Sequence, residues 1–228
     1  MKKYTVDKDR VFYFDDYFFS KPLPMPLADA ASFEEIGPWF AKDHRHVYFL
    51  HNVVEGADPA SFTYLGGYND QWAKDRARAY HFQPTKAARQ YRIFESDSLD
   101  RFCILPNARF CEYAGDTECI YHRGKKIRGA DAPSFEVMIT DDLGTSGQPS
   151  IHFARDVGRI YFDGQPIKDA VRDTFAVIRQ SGIGHQEYGV DVRSAYCQSQ
   201  KTGKLAALPH SDLPAVVREY VHKTRKPQ

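Results

Sequence analysis

Six aspartates stand where carboxylates could do repeated chemistry: Asp7, Asp43, Asp75, Asp116, Asp156 and Asp191, at steps of 36, 32, 41, 40 and 35 residues. Carboxylate oxygens suit calcium. Each aspartate, however, brings no second acid at a fixed distance, so the expected role is a turn in which the side chain bonds the backbone just ahead of it. The other candidates are sparser. His44, His46 and His51 offer a transition-metal pair, but His44 and His46 lie across a turn, and no Cys, Asp or Glu repeats with them at ligand spacing. Asp15-Asp16 and Asp141-Asp142 are adjacent carboxylates. On a strand they would face opposite ways, which suits loop solvation better than acid–base work. Cys103, Cys111, Cys119 and Cys197 form no CxxC pair and fit no common zinc pattern, so free thiols and no disulfide are expected. The GxSxG, P-loop, HExxH and dinucleotide-binding glycine patterns do not occur. The expectation is no catalytic residue, no cofactor, no metal, and a chain that is not an enzyme.

The aspartates belong to a longer pattern. An aromatic is followed by a small residue, any residue, Asp, three free positions, a small or branched apolar residue, and Tyr or Phe. The copies run Tyr4-Asp7-Val11-Phe12, Phe40-Asp43-Val47-Tyr48, Trp72-Asp75-Ala79-Tyr80, Tyr113-Asp116-Ile120-Tyr121, Phe153-Asp156-Ile160-Tyr161 and Tyr188-Asp191-Ala195-Tyr196. A period of this length marks a stack or ring of supersecondary units. The second copy reads as a strand at Phe40-Ala41-Lys42, a turn at Asp43–His46 and a second strand at Val47–Leu50, rich in branched and aromatic residues. A helical turn follows, with Asp58 as N-cap and Pro59 at the first helical position, and then a strand from Phe62. Ala28–Phe33 and Ala130–Phe135 repeat that second half, and Asp169–Phe175 and Asp212–Val216 resemble it more weakly. Arg123-Gly124 and Asp163-Gly164 read as tight hairpin turns. The position two before each Asp holds Thr5, Ala41, Ala73, Ala114, Ala154 and Gly189, which predicts close approach of a neighbouring backbone or ring.

The expected fold is therefore all-β: six repeated short β-meander units with single helical turns, in a propeller-like ring or a short twisted solenoid. One repeat domain is expected over residues 1–217, with a basic tail over 218–228. Each meander alone would leave an aromatic face wet, so neighbouring units supply the core. Aromatics make up 14% of the 228 residues, in keeping with that supply. Charged residues are 27% with a net charge of +1, so no global field points to nucleic acid or membrane. The N-terminal lysines precede no apolar run before the first motif, and no stretch is long enough for a spanning helix, so a cytoplasmic protein is expected.

Trp39-Phe40-Ala41-Lys42-Asp43 through Val47-Tyr48-Phe49, then Val54 to Phe62, resembles the DKNYY repeat family of bacteria. Phe153-Ala154-Arg155-Asp156 with Arg159–Gly164 is similar. The resemblance extends over nearly the whole chain. It departs after the aspartates, where His44-Arg45 and Val157-Gly158 replace the family's Lys-Asn. It implies the repeat fold and no particular activity.

Function is sought where the chain departs from its own repeat, because insertions in repeat proteins often form the binding face. Four segments do so: 17–26, aromatic then Pro-rich; 83–92, basic with one aromatic; 141–150; and 198–205. The second carries the expected partner contacts, Lys86, Arg89, Tyr91 and Arg92, because Arg and Tyr are enriched at interface hot spots. The expected function is a non-enzymatic protein-binding module, in its concrete form a bacterial immunity protein opposing a toxin. The alternatives are a small-ligand-binding protein or enzyme with its site at the centre of a β-propeller, and a structural repeat protein. Nucleic acid is the rival target of the basic patch.

Overall fold

The computed structural model describes residues 3–14, 21–67, 71–82, 91–94, 96, 98–108, 112–141, 147–180, 186–198 and 205–224. They are almost wholly short strands, with brief 3-10 turns and one α-helix. The chain divides into two compact units. The first comprises residues 1–104, 114–117 and 123–125; the second comprises 105–113, 118–122 and 126–228.

In the first unit, β1 (Tyr4–Asp7), β2 (Arg10–Tyr13) and β3 (Leu23–Pro24) form a three-stranded sheet in that order. A four-stranded sheet follows: β4 (Glu34–Gly37), β5 (Phe40–Lys42), β6 (Val47–Phe49) and β7 (Asn52–Val53). The next repeats it with β8 (Thr63–Gly66), β9 (Gln71–Lys74), β10 (Ala79–Phe82) and β11 (Tyr91–Phe94). Then come β12 (Cys103–Ile104), β13 (Tyr113–Gly115), β14 (Ile120–His122) and β15 (Lys125–Lys126), whose residues are divided between the two units.

The second unit holds β16 (Glu136–Asp141), β17 (Pro149–Arg155), β18 (Ile160–Phe162), β19 (Gln165–Pro166), β20 (Ala176–Gln180), β21 (Gln186–Val190), β22 (Ala195–Gln198) and β23 (Leu205–Leu208). They form a single sheet, because β16 and β20 pair in parallel at Thr140↔Val177 and Asp141↔Ile178. The segment 141–150, expected as an inserted loop, instead lends Asp141 to β16 and Pro149 and Ser150 to β17. The helix α1 spans Ala215–Thr224. Its Val217 and Val221 pack with Leu213 against Ile178, Tyr188, Val190 and Ala195, because an apolar sheet face next to an amphipathic helix is otherwise left wet.

The motif hairpins share one register. Ala41 lies opposite Tyr48, Ala73 opposite Tyr80, Ala154 opposite Tyr161 and Gly189 opposite Tyr196. On the other face the leading aromatics meet their cross-strand partners: Phe40 with Phe49 at 5.1 Å, Trp72 with His81 at 4.6 Å and Phe153 with Phe162 at 5.1 Å between ring centroids. The phenylalanine that ends each helical turn then joins two motifs. Phe62 lies between Phe40 (6.0 Å) and Tyr80 (5.5 Å), Phe135 between Tyr113 (5.3 Å) and Tyr161 (5.2 Å), and Phe175 between Phe153 (5.7 Å) and Tyr196 (5.7 Å). This explains the small residue. A Cβ on Gly189 would lie 2.3 Å from Phe175 Cζ and 2.8 Å from Phe153 Cε1.

The turns follow their residues. Asp163 and Gly164, at φ 46° and 73°, are consecutive left-handed residues, as a two-residue hairpin turn requires. The helical turns are 3-10 at Ala132–Ser134 and Arg172–Thr174, the first with Pro133 inside it.

Gly189→Val should therefore lower stability by about 1–3 kcal/mol through overpacking, and Phe153→Ala by about 3–5 kcal/mol through truncation of a fully buried ring. Urea unfolding of both variants checks this. An unchanged midpoint for Gly189→Val would mean that the Phe175 ring does not constrain this strand.

Candidate functional site

The motif carboxylates are the most concentrated polar feature of the described chain. Asp43 accepts from the amides of Arg45 and His46 at 2.7 Å each, through Oδ1. Its Oδ2 accepts from the Tyr48 hydroxyl (2.7 Å) and from the Asp29 amide (3.0 Å). Asp75 does the same with Ala77, Arg78, Tyr80 and Asp58, at 2.8, 2.8, 2.5 and 3.1 Å. Asp156 does so with Gly158, Arg159, Tyr161 and Asp131, at 2.7, 2.7, 2.6 and 3.0 Å. Asp191 does so with Arg193, Ser194, Tyr196 and Val171, at 2.7, 2.8, 3.2 and 2.7 Å. Three donors are local. The fourth comes from the preceding helical turn, 14, 17, 25 and 20 residues upstream. At Asp116 a side chain takes that part, with the Ser96 hydroxyl donating to Oδ2.

A second strand of bonds runs beside the first. Ser32, Ser61 and Ser134 each donate to the aspartate three residues earlier, and each accepts the amide that follows the next motif Asp: His44, Arg76 and Val157. The Asp-x-x-Ser-Phe segment thus fastens each hairpin to the turn before it.

The electrostatics follow. Burial pushes the Asp43 and Asp156 carboxyls up. The bonds from backbone amides and the tyrosine hydroxyl outweigh it and hold both below the usual carboxylate range. Tyr161 is pushed up to about 12 by burial and by its bond to Asp156, and Tyr48 and Tyr80 move the same way. A carboxylate offers about four lone-pair sites. Four donors fill them, so these groups have no capacity left for a metal or a substrate proton. Among the described residues no three His, Cys, Asp or Glu side chains gather as a metal site.

Copy one differs. Its final aromatic is Phe12, which has no hydroxyl to give. The Asp7 side chain is 57% exposed and, among the described residues, meets the Arg10 guanidinium at 3.5 Å. The turn is a two-residue one, with Lys8 at φ 57°.

The expected partner residues fall partly outside the description. Lys86 and Arg89 lie outside the described residues. The backbones of Tyr91 and Arg92 open β11, opposite Phe82 and His81, so the expected loop ends before them. Of the Pro-rich segment, 17–20 lie outside the described residues, and Met25 is buried in the core of the first unit. His44 and His46 lie in the Asp43 turn. His44 Nδ1 is 3.0 Å from Asp29 Oδ2, and His46 Nδ1 is 3.3 Å from the Tyr48 hydroxyl.

A buried network in the second unit was not expected. Glu187 is 2% exposed; it accepts from the Ser150 hydroxyl (2.6 Å), the Ile151 amide (3.1 Å) and Arg179 Nη2 (2.7 Å). Arg179 Nη2 also donates to the Pro149 carbonyl at 2.8 Å. The bonded residues stand 8 to 37 positions apart; a buried Glu also precedes the leading aromatic at Glu112-Tyr113, but Ser150 and Arg179 have no counterparts there.

The described chain is thus a nearly all-β protein of small sheets closed by aspartate turns. The model of the DKNYY family matches residues 113–225, and this segment belongs to that family. The match begins at Tyr113, the first residue of the fourth motif, and takes in Asp116, Asp156 and Asp191. Before residue 113 the resemblance rests on Asp43 and Asp75, which make the same four bonds. No curated protein and no solved structure matches the chain. No helix among the described residues is long and apolar enough to cross a membrane.

Tyr161→Phe should cost about 1.5–3 kcal/mol, the worth of a hydrogen bond to a charged group, without changing the strand content seen by circular dichroism. Stability should also have two flanks. The contribution of Asp43 and Asp156 is full above about pH 4 and is lost as pH falls through their lowered values. That of Tyr161 is full below about pH 10 and is lost as pH rises toward about 12. Urea midpoints across pH check both. An acid flank as steep in Asp156→Asn as in the parent would mean this carboxylate carries none of it.

Proposed function

We propose that the chain is a non-enzymatic protein-binding module of the repeat type, built from six short meander units. The observation that carries this reading is the saturation of four of the six motif carboxylates, Asp43, Asp75, Asp156 and Asp191, by four donors each. The repeated polar residues are spent on joining one turn to the next, and the residues that differ between copies are left to supply function. In its concrete form the partner is a toxin and the chain its cytoplasmic immunity protein.

Lys86, Arg89, Tyr91 and Arg92 are the proposed contacts. The segment from Thr85 to Arg92 holds three cations and no anion in a chain of net charge +1. A local positive patch speeds encounter with an acidic surface, and a tyrosine beside arginine supplies a desolvated anchor. Arg89→Ala, Tyr91→Ala and Arg92→Ala should each fold as the parent does, and at least one should bind a copurified partner about tenfold more weakly. Calorimetric titration checks this. Unaltered affinity in all three would move the contact surface elsewhere on the chain.

A further inference from the structure

Among the described residues each sheet ends on the strand that follows a motif hairpin: β3, β7, β11, β15, β19 and β23. In the third sheet the Asp75 amide bonds the Arg78 carbonyl, which sets the phase of the β9–β10 ladder. Tyr80 and Phe82 therefore turn their backbone groups toward β9, and Ala79 and His81 turn theirs toward β11. Phe94 and Arg92, which stand opposite Ala79 and His81, bond inward. Ile93 and Tyr91 are left with their amides and carbonyls pointing out of the sheet.

Other copies blunt this place. Ile93 stands opposite Tyr80; at the matching positions opposite Phe12 and Tyr161 the chain has Pro24 and Pro166, which have no amide to offer. The strand β15 is Lys125-Lys126, a charged edge, and β7 is two residues long. The strand β23 is as long as β11, but it holds no charged residue, and Leu205 and Leu208 pack against the cores beside it. β11 alone among these strands combines four residues, no proline and an arginine, and its Ile93 is 41% exposed.

We propose that the outer edge of β11 takes an extended acidic segment of the partner protein as an added strand. Strand addition of this kind draws affinity from main-chain bonds and selectivity from alternate side chains. The charge decides the occupant. Arg92 stands within the edge, and the sequence from Thr85 to Arg92 brings three cations and no anion to it. A second copy of the chain fits less well. Antiparallel pairing of two such edges through Tyr91 and Ile93 would set Arg92 directly opposite Arg92 of the other copy, and like charges so placed repel. A partner strand with a carboxylate opposite Arg92 gains where the copy loses. Successive strand residues face opposite ways, so its residues opposite Tyr91 and Ile93 lie on the other face, where branched apolar side chains suit the exposed Ile93. The inference rests on the protein-binding reading above and deepens it by naming the chemistry and backbone geometry of the partner segment.

The probe is a fluorescein-labelled peptide, Val-Glu-Val-Glu-Val-Glu-Val, titrated with the whole chain in polarisation assays. Saturable binding is expected, weakened about tenfold or more when each Glu becomes Lys and when the backbone amides are N-methylated. Neither change touches the protein's own fold. Arg92→Glu in the protein should reverse the preference, so that the lysine peptide binds the more tightly. Ile93→Pro should weaken the glutamate peptide as much as N-methylation does; it removes an outward amide and no bond of the β10–β11 ladder. No saturation at millimolar peptide, equal binding of the glutamate and lysine peptides, or a preference that Arg92→Glu leaves as it was overturns the proposal. So does a dimer of the chain alone that Ile93→Pro splits in sedimentation, which would make the edge a seam between copies. If the peptide fails while the Arg89, Tyr91 and Arg92 variants still weaken a copurified partner, the binding-module reading stands and only strand addition falls.

Discussion

A carboxylate taken out of water needs its lone pairs filled, and the described fold is organised around filling them. At Asp43, Asp75, Asp156 and Asp191 two turn amides and one tyrosine hydroxyl come from the hairpin itself, and one amide comes from upstream. Leaving a single donor or acceptor unmet in such a site costs about 1–3 kcal/mol, and more for a charge. The hairpin and the preceding turn are therefore coupled. Neither can shift without stranding the carboxylate between them. A chain of small sheets, each too thin to bury a core of its own, gains from this a polar joint at each junction that fixes where the next sheet begins.

The apolar contacts obey the same joint. Once the aspartate holds the upstream turn, the phenylalanine ending that turn falls between one motif's leading ring and the next motif's tyrosine. The strand residue opposite the tyrosine then has no room for bulk, and alanine or glycine stands there. The serine three residues after the turn's aspartate closes the arrangement by capping the amide after the next motif Asp. A short segment, Asp-x-x-Ser-Phe, thus carries both the polar and the apolar halves of the joint.

The departures are as physical as the rule. With Phe12 in place of tyrosine, Asp7 loses a donor and stays in solvent beside Arg10. The strand before the fifth motif, β16, pairs in parallel with the strand before the sixth, β20, and merges two sheets into one of eight strands. The longer sheet then carries the buried Arg179–Glu187 pair. Such sites are where a repeat acquires individual character.

The sequence by itself determined whatever closes within a few residues. The Asp-to-Tyr spacing of five specifies a hairpin turn, because the amides at two and three residues on and the hydroxyl at five are all within reach of one side chain. Asp163-Gly164 specifies a left-handed turn for the same local reason. The strands around these turns, and the match to the DKNYY family from Tyr113 onward, were legible on that basis. The small residue announced that something came close, but not that it was the ring of Phe175. What only the tertiary structure decided is non-local. The fourth donor arrives from 14 to 25 residues away, and Glu187 meets Ser150 across 37. Those outcomes depend on how the turn of one unit sits on the hairpin of the next, and spacing along the chain carries no measure of that distance.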